Sequence, residues 1–166
     1  MFKTPITATL VALALAIAVN VYYFMTSDDL TEVVSRTLFA DLILVLSLVP
    51  IYQSILLAKS SAVLTVPEKV KSGMKPVASY TFLIAIATYV LFKLFGDPLV
   101  GARIFELTES LNNAVQEGTI STEQKMQQIE LAKQIYSPTS HVLMVLITNL
   151  FVGFISSILA AVLVKK

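Results

Sequence analysis

The chain has 166 residues, of which 56% are hydrophobic and only 14% charged, with a formal net charge of +1. A soluble fold of this size has too little interior to hide that much apolar surface, so the composition indicates a membrane protein with one integral domain over residues 1–166. The near-zero charge offers no basic face for nucleic acid, and the absence of cysteine removes disulfides, thiolate catalysis and cysteine metal sites. With one histidine, His141, a histidine-rich metal centre is excluded as well.

In chain order, the first apolar run covers residues 6–25 and ends in the interfacial pair Tyr22 and Tyr23. Ala16-Ile17-Ala18 has the small-x-small form of a signal-peptide cleavage site, yet apolar sequence continues past it, so the run is read as a retained span. Ala8, Ala12 and Ala16 recur every fourth residue and give it a smooth packing face, which Asn20 extends by one turn. A polar loop is expected over residues 26–36. The second span is expected over 37–58; it contains Asp41, Pro50 and Gln53, and Pro50 should bend it. Residues 59–75 form a lysine-rich connection (Lys59, Lys69, Lys71, Lys75) in which Pro67-Glu68-Lys69-Val70 can start a short surface helix. Pro76 suits the first turn of a third span over 76–95, and Gly96-Asp97-Pro98 should break it.

Residues 99–136 are the long polar region and read as a helical hairpin. Ile104, Leu107, Leu111 and Val115 share one face of a first helix that Gly118 can terminate. Ser121 and Gln124 have capping-box spacing and open a second helix with Met126, Ile129, Ala132 and Tyr136 on one side. The last span, 142–164, carries no charge and places Gly153, Ser157 and Ala161 on one face for close helix packing. The expected fold is therefore all-α: a four-helix transmembrane bundle with a polar helical hairpin between the third and fourth spans. The short lysine-rich connection dominates the charge rule, which puts both termini in the cytoplasm and the acidic hairpin outside.

The second half also has a recognisable layout. The run KVKSGMKPVASYTFLIAIATYVLFKLFGDP, the insert GTISTEQKMQQIELAKQIYSP and the ending GFISSILAAVLVKK resemble a family of small four-span membrane proteins, mostly from Bacteroidota, known as domain of unknown function 4199. The resemblance covers Lys69 to Lys166, while the first half matches it in hydropathy alone. It implies a bacterial inner membrane and four helices, and supplies no catalytic residues.

Asp41 is the residue of greatest chemical interest, because an ionised carboxylate within a span is costly and marks either a partner or a path. Asn20, Lys93, His141 and Asn149, with Thr88, are expected at similar depth and form with Asp41 a candidate intramembrane polar cluster. Its functional reading is a polar pocket in which Asp41 works with His141 or Lys93. Its structural reading is Asp41 near the headgroups, pairing one cation and holding the bundle in register. Gln53 and Asn149 read as interhelical hydrogen-bonding groups. The inner lysines read as topology determinants, or alternatively as an anionic-lipid or protein contact. No G-x-S-x-G, H-E-x-x-H or P-loop pattern occurs, so neither an enzyme nor a cofactor is expected. The leading expectation is a non-enzymatic inner-membrane accessory or scaffold subunit, binding a protein partner or a second copy through the 99–136 hairpin or the 59–75 loop. The alternatives are a small transporter or ion-coupled carrier using Asp41, and an accessory component of a membrane lipid or glycan pathway.

Overall fold

The computed structural model describes residues 5–59 and 64–163, with side chains for all of these but 5, 50, 51 and 53–59. Nearly all of the described residues are helical, and none is in a strand. Four helices build the bundle: α1 (Pro5–Thr26), α2 (Leu30–Lys59), α3 (Val66–Leu91) and, last in the chain, α6 (Pro138–Leu163). Between α3 and α6 the chain forms a π-helical turn (Phe92–Gly96), α4 (Asp97–Gln116) and α5 (Thr122–Ile135). Ala8, Ala12 and Ala16 of α1 are buried, together with Val45, Leu48 and Val49 of α2, Val77, Tyr80 and Ile84 of α3, and Val145 and Ala160 of α6. Small side chains on α1 and α6 let the helices approach, as packing without a strong hydrophobic drive requires. Among the described residues, three helical stretches are long and apolar enough to cross a membrane: Ile6–Thr26, Val66–Gln116 and Pro138–Leu163.

Several boundaries differ from the sequence-based expectation. The first connection is only Ser27–Asp29, not residues 26–36. The Asp29 carboxylate accepts from the Thr31 N–H at 2.8 Å and starts α2 there. Leu30, Val33 and Thr37 then keep a buried stripe going, while Glu32 and Arg36 face outward as a 3.8 Å ion pair. Helix α3 begins ten residues before Pro76, which lies buried inside it. Its start is fixed by Glu68, whose carboxylate accepts from both the N–H and the hydroxyl of Thr65, each at 2.8 Å. The last helix opens at Pro138, so His141 lies in its first turn. Helix α2 continues through Pro50, but the side chains of Pro50 and Gln53 lie outside the described residues.

The largest difference is at Gly96-Asp97-Pro98, which does not end the third helix. Helix, π turn and helix run unbroken for 51 residues, Val66–Gln116, or about 76 Å at 1.5 Å per residue. Pro98 has no N–H to offer and its ring collides with the carbonyl four residues back in a regular helix. The π turn just before it widens the spiral by one residue and takes up that defect without ending the helix. Gly96 serves the same turn, because a Cβ there would stand 2.6 Å from Cδ1 of Phe92. Beyond the turn, Leu99 packs against Phe24, Leu30, Val33 and Phe92 at the base of the hairpin. The hairpin then leaves the bundle. Gly118, with φ of 73°, lets α4 end, and Ser121 with Gln124 caps α5 through reciprocal bonds of 2.8 and 3.1 Å.

Candidate functional site

The site is built from polar side chains in the interior of the bundle. The anchors of its register are three contacts. Gly153 of α6 faces Val77 of α3, and a Cβ on Gly153 would lie 2.9 Å from Cγ2 of Val77 and nearer still to Cγ1. Phe92 stacks obliquely on His141, with ring centroids 4.9 Å apart, and meets the edge of Phe24 at 5.3 Å. Helices α3 and α6 are thus antiparallel and α1 runs parallel to α3. Stepping one turn along each pair from these anchors sets Thr81 opposite Asn149, and Asn20 level with Thr88.

Asp41 reaches this frame from α2. It is 1% exposed, and its Oδ1 accepts a hydrogen bond of 3.1 Å from the Tyr80 hydroxyl. Two polar levels follow. One holds Asp41, Tyr80, Thr81 and Asn149. The other lies about 11 Å away along α3, seven or eight residues on, and holds Asn20 and Thr88, with His141 one turn further, beside Phe92. All of these residues are buried. Both ends of the Asn20 and Asn149 amides, the Thr81 and Thr88 hydroxyls and Nε2 of His141 have no hydrogen-bond partner among the described residues. Buried polar atoms are nearly always paired, so this concentration of unpaired ones sets these levels apart from the rest of the bundle interior. Thr37 is different, since its hydroxyl donates to the Val33 carbonyl at 2.8 Å.

The five residues of the expected cluster separate here. Asn20, Asp41, His141 and Asn149 are interior but at different depths, His141 one turn beyond Asn20; Lys93 is exposed on the π turn, one residue round from the inward-facing Phe92. Asp41 is paired neither with Lys93 nor with His141, and its observed partner, Tyr80, is a residue that the sequence reading passed over. The signal was present: a tyrosine inside an apolar run must find a partner for its hydroxyl. Depth changes too. Because α2 starts at Leu30, Asp41 is eleven residues in, about 16 Å along the axis and nearer the middle of the bundle than its rim. Gly153, Ser157 and Ala161 are buried, and the Ser157 hydroxyl donates to the Gly153 carbonyl at 2.7 Å.

His141 also borders a small cavity of about 140 Å³ under the hairpin, lined in part by Leu30, Phe92, Tyr136 and Met144. The upper polar level therefore adjoins the hairpin end of the bundle. No group of three or more His, Cys, Asp or Glu that could hold a metal ion occurs among the described residues. What the arrangement offers is one buried carboxylate, two hydroxyls and an amide at one level, a donor set suited to a proton, a water or a small cation.

The family model of a protein of unknown function, DUF4199, matches residues 7–166. The chain belongs to this family. The match includes α1 and α2, so the DUF4199 relationship extends well beyond the second half, where the sequence motifs first suggested it. No curated protein and no solved structure matches the chain. The polar levels and the hairpin both lie inside the DUF4199 region, and the functional reading rests on them.

Proposed function

We propose that this DUF4199 protein is a four-span component of the bacterial inner membrane, with both ends cytoplasmic, acting without catalysis as an accessory or scaffold subunit that meets a partner through the α4–α5 hairpin. The observation that carries this reading is the way the hairpin is mounted. It stands on an unbroken continuation of α3, with Leu111 and Ala132 buried on its two helices and Lys125 of α5 donating to Asn112 of α4. Phe105, Met126, Leu131 and Ile135 nevertheless remain exposed on it. Large apolar side chains on a projecting helix pair are what a partner's groove would take. A fourth span is supported by α2, a 30-residue helix packed in the bundle whose Phe39, Ile43 and Leu46 face outward. The lysines of residues 59–75 support the orientation.

The test is a photo-crosslinking residue at Phe105 or Leu131 in native membranes, with Glu109 as control. One discrete adduct from both apolar positions, and none from Glu109, is expected; no adduct, or a smear from all three positions, refutes the reading. An adduct of twice the chain's mass identifies the partner as a second copy. The Asp41 level favours a second reading, a small ion-coupled carrier, since a carboxylate held mid-bundle with no cation beside it among the described residues is a natural coupling group. Proton or solute flux in liposomes that disappears in Asp41→Asn would establish the carrier; absence of flux from the unaltered protein would dismiss it.

A further inference from the structure

The end of the bundle opposite the hairpin carries a lateral cavity of about 390 Å³ that none of the preceding readings uses. Ile6 and Leu10 of α1 form one wall and Lys75, Ser79 and Leu83 of α3 the other, with Tyr52 of α2 between them. Ile6, Leu10 and Leu83 are exposed on the outer surface of the bundle, so the cavity opens where hydrocarbon chains would lie.

The order of side chains along α3 is informative. Lys75, Ser79 and Leu83, spaced four apart, line the cavity, and Lys71 continues the same row one turn beyond it, each residue about 40° round from the last. From the end of the bundle inward they present two ammonium groups, a hydroxyl and an isobutyl group. A glycerophospholipid has the same sequence of chemistry along its length: phosphate, ester oxygens, acyl chain. Neither lysine has an ion-pair partner among the described residues, where the salt bridges are Arg36 with Glu32 and Arg103 with Glu106. The nearest acid on the helix, Glu68, is turned to Thr65 and held there by two hydrogen bonds. A second copy of the chain is a poor occupant, because a two-fold contact would set the lysine pair against itself.

We propose that this cavity is a binding site for an anionic phospholipid, with its phosphate between Lys71 and Lys75, the Ser79 and Tyr52 hydroxyls as further donors, and one acyl chain along Ile6, Leu10 and Leu83. Basic pockets between helices at the cytoplasmic boundary are suited to such headgroups. This site is independent of the hairpin and of Asp41.

The full chain in mild detergent, titrated with lipid and read by native mass spectrometry, tests the assignment. Phosphatidylglycerol should be retained at least about tenfold better than phosphatidylcholine, and the double variant Lys71→Gln/Lys75→Gln should erase that preference, with two surface lysines accounting for at most about thirtyfold. Both lysines are away from the core, and Lys93→Gln/Lys133→Gln is the charge-matched control that should retain the preference. Leu83→Trp fills the cavity while leaving the lysines in place and should lower retention too. Equal retention of the two lipids, retention unchanged in either cavity variant, or loss of the preference in the control would overturn the proposal. So would displacement of the lipid by millimolar inorganic phosphate, which would mark an ion site without a role for the acyl chain.

Discussion

Substituting Gly153 by alanine tests the register on which the polar levels depend. The added methyl would stand 2.9 Å from Cγ2 of Val77 and closer to Cγ1, in a place where Val77 is fully buried. Overpacking of this kind costs about 1–3 kcal/mol. Val77→Ala alone removes two buried methyls, at about 1 kcal/mol each. In the double variant the methyls that collide with the new Cβ are gone, so the total cost should fall short of the sum by at least about 1 kcal/mol, well outside the roughly 0.5 kcal/mol within which independent sites add. The assay is reversible unfolding in mixed micelles of mild detergent and increasing sodium dodecyl sulfate. It is followed by helical ellipticity, since the chain has no tryptophan. Additive costs, or a Gly153→Ala variant as stable as the parent, would refute the contact and with it the alignment of Thr81 with Asn149.

Two further outcomes follow from the same structure. Tyr80→Phe strands the Asp41 carboxylate without its donor and should destabilise the bundle by about 1–3 kcal/mol; combining it with Asp41→Ala, which removes the acceptor, should reveal a coupling near the 0.6–1.7 kcal/mol measured for hydrogen bonds between membrane helices, and zero coupling would mean that the 3.1 Å bond is not made. Pro98→Ala removes the reason for the π turn, so α3 and α4 should rejoin as regular helix with α4 rotated by about 100° for the residue taken up; electron-spin distances between labels at Glu109 and Thr31 should shift, and unchanged distances would show that Pro98 is not the cause.

Hydropathy located all four bundle helices, though not their ends, because their apolar runs are long and almost free of charge. The capping residues of the hairpin were legible for a different reason: Gly118 and the Ser121–Gln124 pair act within a single turn, so neighbouring residues contain the whole interaction. What was hidden depended on contacts between segments. Pro98 reads as a terminator unless a π turn precedes it, and the ring of Phe92, packed against Phe24 and His141, is part of what holds that turn. The early start of α2 depends on Leu30 and Val33 finding Leu99 across the chain. Tyr80 and Asp41 are 39 residues apart, and only the crossing of their helices pairs them. The depth of Lys93 follows from its place in the sequence, but its position round the helix, which turns it outward, does not.

The unbroken Val66–Gln116 helix makes a lever of the hairpin. Its outer arm, α4, has 20 residues and is about 30 Å long, so a 10° change in the lean of the buried part would carry the far end about 5 Å sideways. A bilayer that thins or thickens changes the lean of the helices crossing it. The surface offered by Phe105 and Leu131 would then shift position with the thickness of the lipid around α3.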